Sequence, residues 1–302
     1  MDTGGLSLSG SWDCHLHIFD PDTFPWKPNR TYTPAAAPLD ALFKGSSASN
    51  YLIVQASVEG CWAGIIHHLQ QARRQTSGRG LFRAEIEVDA DEDLDEKTLQ
   101  QLHEVGVRAL RLHGEVGVPS GENRIQSAQT SFKRLGRIAK KTGWFIAGTC
   151  PLGSWLELGP WLVTAEELDG VRIIIEHSGR LDPGRDVDDY PEFERFLQLL
   201  EDHPGKLFVK LCGINRLDSQ ERADGRMPAL PATVVAIAQR VPDSVVWGSD
   251  WPHCRFNEGY PREQSVSGKK VDLLHELNLL QAALSPTLWK KLMCDNPKRM
   301  FE

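Results

Sequence analysis

The amino-acid sequence predicts an α/β fold, a (β/α)8 barrel formed by a single domain over residues 1–302. Eight short apolar runs alternate with longer segments whose apolar residues recur every three or four positions. Repetition of strand, helix and strand favours a parallel sheet. Eight such units in 302 residues fit a closed barrel better than an open sheet, which usually carries a glycine-rich phosphate turn after its first strand. The sequence contains neither a G-x-G-x-x-G motif nor a Walker motif.

The predicted strands are rich in β-branched and aromatic residues, which suit a pleated, half-buried surface. They are WDCHLHIF (12–19), YLIVQAS (51–57), LFRAEIEV (81–88), VRALRLH (107–113), WFIAGT (144–149), VRIIIEHS (171–178), KLFVKLC (206–212) and VVWGSD (245–250). Amphipathic segments such as FKRLGRIAKKTG and FERFLQLLEDH predict the helices between them. Residues 271–302 predict two further helices, with Pro286 near the start of the second.

The overall composition favours a protein that acts on small molecules. The formal net charge is -7, and no dense run of Lys and Arg occurs, which argues against nucleic acid or an anionic membrane as a partner. No apolar stretch reaches the roughly 18 residues of a membrane span, and we expect a cytoplasmic location. The six cysteines are widely separated, which indicates reduced thiols rather than a disulfide framework.

The first predicted strand carries two histidines at alternate positions. Side-chain alternation places one set toward the barrel interior, namely Asp13, His15 and His17. It places the other set under the helices, namely Cys14, Leu16 and Ile18. Two imidazoles on one face can bind a common cation or a common substrate oxygen. The alternative is a pair of hydrogen-bonded core histidines.

The sixth and eighth strands add polar groups at their ends, where βα loops of a barrel gather functional residues. In the sixth, alternation puts Ile173, Ile175 and His177 inside and Glu176 outside, so His177 is either a site residue or a structural histidine. In the eighth, Asp250 points inward and is a candidate general base. The alternative for Asp250 is a turn-capping aspartate.

Three arginines lie at predicted strand ends, where they suit a substrate carboxylate. Arg111 lies on the inward face of the fourth strand, and Arg180 and Arg216 follow the sixth and seventh. For any one of them a surface arginine is the alternative; together they favour an organic acid or its lactone. Lys210 shares a face with Phe208 and is predicted to point inward, either in an ion pair or in a binding role.

Motifs in the same order along nearly the whole chain resemble the amidohydrolase-related family, in its branch of 2-pyrone-4,6-dicarboxylate lactonase and sugar lactonases. They are DCHLHIFDP, FPWKPNRTYTP, VQAS, EHSGR, VKLCGINRL, WGSDWPH and DNPKRMF. The resemblance implies a distorted TIM barrel and hydrolysis of an ester or lactone by a water that Asp250 activates.

The resemblance also implies roles for individual residues. The positions that match the family's functional residues are His15, His17, His177, Asp250 and His253, with Arg180 and Arg216 on substrate carboxylates and Tyr32 nearby. Two segments depart from the pattern. LHGEVGVPSGENR follows the fourth strand in place of an arginine-bearing loop, and the fifth strand ends at Gly148 and Thr149, where the lactonase has a tyrosine.

Metal use is left open between no required cofactor and one divalent ion, Zn²⁺ or Mn²⁺. The fifth strand has no histidine and the fourth no bridging lysine, which argues against a binuclear site. A mononuclear site would use His15, His17, His177 and Asp250.

The hypothesis from the sequence is that Asp250 deprotonates a water, which attacks the carbonyl of an anionic lactone. The enzymatic rival is a metal-dependent nonoxidative decarboxylase of an aromatic or unsaturated acid, and the rival of another class is a non-catalytic binding barrel. Residues 20–38, with Phe24, Trp26 and Tyr32, predict either a lid over the site or a loop anchored by its aromatic residues.

Overall fold

The computed structural model describes residues 9–46, 48–89, 92, 94–113, 124–256 and 258–302. Its eight-stranded sheet is parallel, and the strands follow one another in chain order. They are β1 (Trp12–Leu16), β2 (Asn50–Val54), β3 (Phe82–Ile86), β4 (Val107–Leu112), β5 (Phe145–Gly148), β6 (Ile173–Ile175), β7 (Leu207–Cys212) and β8 (Val245–Gly248). Each lies in or overlaps a predicted run, so the barrel prediction is confirmed.

The barrel closes where the ends of β1 and β8 meet. A parallel bridge joins Leu16 to Trp251. The backbone N–H of Asp250 donates to the carbonyl of His15 at 2.8 Å, and that of His17 donates to the carbonyl of Trp251 at 2.8 Å. These bonds fix both histidines and the aspartate in one register.

Gly248 is required by this closure. A Cβ on Gly248 would lie 2.6 Å from both the Cβ and the backbone nitrogen of His15. Only a residue without a side chain lets β8 approach β1 so closely. The carboxylate of Asp13 completes the seam by accepting the N–H of Ser249 at 2.8 Å.

Helices surround the sheet on its outer face. They are α1 (Leu39–Gly45), α2 (Ala63–Gln75), α3 (Glu96–Val105), α4 (Arg124–Thr142), α5 (Leu152–Thr164), α6 (Pro191–Asp202), α7 (Ala232–Arg240), α8 (Leu273–Ala283), α9 (Pro286–Lys290) and α10 (Asn296–Phe301). Pro286 occupies the first turn of α9, as predicted. The C-terminal segment forms three helices rather than two, because a π-helical turn, Lys291–Asp295, separates the last two. In the described part of the chain, no helix is both long and apolar enough to span a membrane.

Inside the barrel, an apolar layer fills the end opposite the site. Its buried members are Trp12, Cys14, Leu52, Ala109, Phe145, Ala147, Ile174, Phe208, Val246, Met300 and Phe301. The last two come from α10, so the C-terminal helix closes this end. The ring of Phe301 lies 5.9 Å from that of Trp12 and 5.7 Å from that of Phe145.

The predicted side-chain directions hold on β7 and β8 and at Ala109 and Arg111 of β4, but fail on two strands. Cys14 packs in the barrel interior and not under the helices, because the pairing of β1 with β2 shifts register between Asp13 and Leu16. On β6, Ile174 faces inward while Ile173 and Ile175 pack against the helices, so the prediction for this strand was inverted.

The loop formed by residues 20–38 is anchored at several points. Thr33–Pro34 pairs with Ser265–Val266 as a two-stranded parallel ribbon, and Phe19 pairs with Ala37. The ring of Trp26 packs edge-on against Phe19 at 5.2 Å. These contacts favour the anchored-loop interpretation. The predicted departure after β4, LHGEVGVPSGENR, falls largely on residues 114–123, outside the described residues.

Candidate active site

A cavity of about 640 Å³ lies at the carboxyl ends of the barrel strands. Its wall includes side chains that follow β1, β4, β6, β7 and β8, namely His17, His113, His177, Arg180, Arg216 and Asp250. Tyr32 and other residues of the anchored loop 20–38 cover one side. The site therefore lies at the barrel face where predicted functional residues converge.

Asp250 and Arg216 form a direct ion pair in the wall of this cavity. The Nε and Nη2 atoms of Arg216 lie 2.8 Å and 2.7 Å from Oδ2 of Asp250. Burial alone would raise the pKa of Asp250, but the Arg216 guanidinium holds that pKa well below its usual range. Asp250 is therefore ionised, and its Oδ1 is left facing the histidines.

His15 and His17 face Oδ1 of Asp250 from β1. The Nε2 atoms lie 3.7 Å (His15) and 3.9 Å (His17) from that oxygen. His17 places its Nδ1 2.8 Å from the carbonyl of Val54, which makes Nδ1 the protonated nitrogen and leaves a lone pair on Nε2. His15 is fully buried behind the cavity wall, and its Nε2 has no hydrogen-bond partner among the described residues.

The imidazoles around the cavity are neutral. Burial lowers the pKa of His17 to about 4 and that of His113 to about 3, and it also lowers the pKa values of His15 and His177. Neutral rings can accept a proton, donate one N–H or bind a metal ion.

His177 reaches the cavity through an unusual backbone turn and not through strand alternation. Four consecutive residues after β6, from His177 to Arg180, have positive φ values between 51° and 72°. Left-handed backbone costs roughly 1 kcal/mol or more per non-glycine residue, and such strain concentrates at functional sites. Asp250 also has a positive φ, of 63°. The turn aims His177 and Arg180 at the cavity, while Nδ1 of His177 contacts Sγ of Cys212 at 3.4 Å.

A buried layer of four ionisable side chains supports the site from below. Lys210 donates to Glu85 at 2.8 Å and to Glu176 at 3.0 Å, and Arg111 lies 3.4 Å from Glu176 and 3.6 Å from Glu85. Burial opposes ionisation of Glu176, but Lys210 and Arg111 lower its pKa well below the usual value. Burial and the neighbouring Glu176 raise the pKa of Glu85 to about 8.

This layer corrects the predicted direction of Glu176 and shows the partners of Arg111 and Lys210. Glu176 points into the barrel and not outward, and its Oε1 lies 3.0 Å from Nδ1 of His15. Arg111 lines the cavity but is bound to Glu176 and the carbonyl of Gln55, so its charge is already compensated. Lys210 points inward and forms ion pairs. Sequence reasoning missed Glu85, although charged residues at alternate positions of the predicted strand LFRAEIEV, namely Arg83, Glu85 and Glu87, were a signal for it.

The remaining predicted substrate contacts separate into two groups. Arg180 and Tyr32 line the cavity, and burial raises the pKa of Tyr32, so its phenol stays protonated. His253 is not one of the described residues that line the cavity. Its Nδ1 is buried without a hydrogen-bond partner among the described residues. His253 therefore lies behind the wall.

Within the described ranges, two groups of side chains could hold a metal ion. One is His15, His17 and Asp250, and the other is His15, His177 and Cys212; within each group the ligand atoms lie within 4.8 Å of one another. The predicted four-residue set is thus divided, with His177 in the second group. The first group fits a divalent ion better, because burial raises the pKa of Cys212 and keeps its thiol protonated. Nε2 of His15, which both groups share, is a buried nitrogen without a hydrogen-bond partner among the described residues.

Comparison with known proteins agrees with the motif resemblance. A family model described as amidohydrolase matches residues 12–302. A 2-pyrone-4,6-dicarboxylate hydrolase of Comamonas testosteroni is 28% identical over 97% of this chain and 90% of its own length. A 4-sulfomuconolactone hydrolase of Hydrogenophaga intermedia is 27% identical over 97% of this chain and 88% of its own length.

Two solved structures share the fold. A probable 2-pyrone-4,6-dicarboxylic acid hydrolase from Acinetobacter baumannii, with citric acid bound, superposes with a TM-score of 0.67 at 18% identity, covering 97% of this chain and 99% of that chain. An amidohydrolase from Burkholderia multivorans, with bound HEPES, gives a TM-score of 0.64 at 15% identity, covering 96% and 98%. Both span the whole barrel.

Proposed function

This chain belongs to the amidohydrolase family, and from that premise we propose that it is a hydrolase that opens the lactone ring of a carboxylated small molecule. Relatives named as hydrolases of a pyrone dicarboxylate and of a sulfomuconolactone align over 97% of the chain and support this choice. The wide separation of the six cysteines along the sequence supports the proposed cytoplasmic location.

The observation that carries the proposal is the arrangement around Asp250. Its carboxylate is ionised and lines the cavity, with Oδ2 held by Arg216 and Oδ1 turned toward His15 and His17. A water at Oδ1 would be oriented by the carboxylate and could pass its proton to it while attacking an ester carbonyl. Neutral His177, on the same wall, would donate an N–H to the carbonyl oxygen as negative charge develops there.

Arg180 and Arg216 take different parts in this proposal. Arg180 binds a substrate carboxylate, because it lines the cavity and has no ion pair with another described residue. Arg216 positions Asp250, because its Nε and Nη2 atoms are already bonded to that carboxylate. Tyr32 donates from its protonated phenol at the covered side of the cavity.

A divalent ion, where the chain binds one, would be held by Nε2 of His15, Nε2 of His17 and Oδ1 of Asp250. It would act as a Lewis acid and lower the pKa of a bound water. Elemental analysis of zinc and manganese tests this ligand set: His17→Gln and Asp250→Asn should each lower the metal content of the purified protein, whereas Cys212→Ser should not. Equal metal content in all three variants would reject the set.

Hydrolysis of a panel of carboxylated lactones, followed with a pH indicator, tests the function. The wild-type chain should release one proton per ring opened, and Asp250→Asn should lower kcat at least about 100-fold with an unchanged circular dichroism spectrum. Asp182→Asn, an acidic residue of the cavity wall that is not placed at the reacting water, is the matched control and should retain activity. Release of CO₂ without ring opening would identify the decarboxylase instead, and binding without turnover would identify a non-catalytic barrel.

A further inference from the structure

Cys212, the last residue of β7, lies against His177 from behind the cavity wall. It follows Phe208 and Lys210 on the inward face of that strand, and only 2% of its surface is exposed. Its Sγ lies 3.3 Å from the backbone nitrogen of His177 and 3.4 Å from Nδ1 of the same residue. His177 lines the cavity, whereas Cys212 is not one of the described residues that do so. A substrate in the cavity would therefore meet the imidazole and not the thiol.

These two contacts determine which atom donates in each. The backbone N–H of His177 can only donate, so Sγ accepts in that bond. The thiol keeps its own hydrogen, because burial raises the pKa of Cys212 well above its usual value. Nδ1 of His177 is the other hydrogen-bond partner of Sγ among the described residues, so it accepts the S–H.

A ring nitrogen that accepts a hydrogen bond carries no hydrogen of its own. Burial lowers the pKa of His177, so its ring is neutral and carries a single N–H. With Nδ1 occupied as an acceptor, that hydrogen is on Nε2. The contact with Cys212 therefore selects the tautomer of His177.

His17, on the same cavity wall, has the opposite tautomer. Its Nδ1 donates to the carbonyl of Val54 at 2.8 Å, which leaves a lone pair on Nε2. The wall thus contains one imidazole that accepts at Nε2 and one that donates from Nε2. Ring opening needs an acceptor beside the attacking water and a donor to the carbonyl oxygen. In the other tautomer, His177 could turn a lone pair toward that oxygen and would repel its developing negative charge.

The same sulfur supports the strained backbone that carries His177. His177 and Ser178 have positive φ values of 51° and 53°, and Sγ accepts the N–H at the start of this turn. Sγ therefore fixes both the backbone and the ring of His177. A hydroxyl at position 212 can accept and donate in the same way, whereas a methyl group can do neither.

We infer that Cys212 is a positioning residue, whose thiol donates to Nδ1 of His177 and keeps the ring hydrogen on Nε2, the nitrogen that faces the carbonyl oxygen of the substrate. The part that His177 takes in the reaction rests on the proposed function. The tautomer itself does not depend on that function.

Nitrogen-15 NMR of protein with labelled histidine rings tests the tautomer. Ring nitrogens with and without hydrogen have well-separated chemical shifts, and the signals of His177 among the ten histidines are those absent from His177→Gln. Nε2 should carry the hydrogen in the wild type and in Cys212→Ser, and the form protonated at Nδ1 should appear in Cys212→Ala. A wild type protonated at Nδ1 would overturn the inference even if Cys212→Ala did not fold, and so would identical spectra of Cys212→Ala and the wild type.

Initial rates on a lactone that the wild type hydrolyses test the effect on the reaction. Cys212→Ala should lower kcat at least about tenfold and change KM less than about threefold, because the donor to the carbonyl oxygen acts mainly in the transition state. Cys212→Ser should restore kcat to within about threefold of the wild type. Cys294→Ala is the matched control, because this half-buried thiol belongs to the π-helical turn and is not among the described residues of the cavity wall. Equal kcat in Cys212→Ala and Cys294→Ala would overturn the inference.

The two measurements separate this inference from the proposed function. If no lactone is hydrolysed but the tautomer of His177 changes in Cys212→Ala, the function fails and the control of the tautomer by Cys212 stands. If lactones are hydrolysed and Cys212→Ala keeps the wild-type spectrum and kcat, the function stands and the inference fails.

Discussion

The guanidinium of Arg216 contacts a single carboxylate oxygen of Asp250, Oδ2, through both Nε at 2.8 Å and Nη2 at 2.7 Å. The same Nη2 donates to the carbonyl of Cys254 at 3.0 Å, and the guanidinium lies over the ring of Phe256 at 4.7 Å. Arg216 is therefore fixed from three directions. Oδ2 of Asp250 is therefore paired with the guanidinium, and Oδ1 faces the histidines of β1.

Arg216→Gln should impair both stability and activity. It leaves the carboxylate of Asp250 buried without its cation, which should lower the free energy of unfolding by about 3 kcal/mol. kcat/KM on a lactone substrate should fall at least about 100-fold, because Oδ1 loses its orientation. Urea denaturation and initial rates measure the two effects, with Arg226→Gln as the exposed control. Unchanged stability would show that the contact does not hold Asp250.

Lys210→Met should destabilise the barrel through the buried charge layer. Without its ammonium, Glu85 and Glu176 face each other with one cation, Arg111, between them. We expect a loss of about 3 to 5 kcal/mol in the free energy of unfolding. The double variant Lys210→Met/Glu85→Gln should recover part of that loss, because one cation then meets one carboxylate. Additive losses in this double-mutant cycle would contradict the predicted coupling.

Glu59 should make stability fall as pH rises. This buried carboxyl accepts the N–H of Ala56 at 2.6 Å, and burial raises its pKa to about 8. Between the ordinary glutamate pKa, about 4.5, and about 8, the folded chain keeps a proton that the unfolded chain has lost, so its contribution declines over that interval.

Glu59→Gln should therefore make the free energy of unfolding fall less steeply with pH, by up to about 1.4 kcal/mol per pH unit, which is the contribution of one proton. Denaturation measured from pH 5 to pH 8 provides the comparison, with the exposed Glu104→Gln as the control. The same slope in the wild type and in Glu59→Gln would show that Glu59 is ionised throughout.

Gly248→Ala tests how much the close approach of β8 to β1 contributes to the stability of the barrel. The added Cβ would meet His15 at 2.6 Å, and its nearest contacts include backbone that cannot rotate away. We expect a loss of about 1 to 3 kcal/mol and a displaced His15. Thermal unfolding measures the loss. Gly153→Ala is the control, because a Cβ there meets no atom within 4 Å; equal effects of the two would contradict the role of the seam.

The order of elements and most strand faces could be predicted, because apolar periodicity depends on local sequence. Alternation succeeded on β7 and β8, where the strands pair in continuous register, and at Ala109 and Arg111 of β4. It failed at Cys14, where β1 shifts register, and at Glu176, where β6 was inverted. His177 reaches the cavity because of the left-handed turn after β6, which strand alternation does not predict.

The sequence alone could not predict which distant side chains form ion pairs with one another. Arg216 and Asp250 are 34 residues apart, and Arg111 and Glu176 are 65 apart. The sequence predicted each of the arginines as a contact for a substrate carboxylate, but only the folded chain shows that two of the three are already bound to its own acids.

Ring opening in water labelled with ¹⁸O tests the central claim most directly. A 2-pyrone dicarboxylate incubated with the wild-type chain should give a ring-opened acid with one ¹⁸O atom in the new carboxylate, and Asp250→Asn should give none above the rate without protein. An unlabelled product, or labelled product formed by Asp250→Asn at the wild-type rate, would contradict a water activated by Asp250.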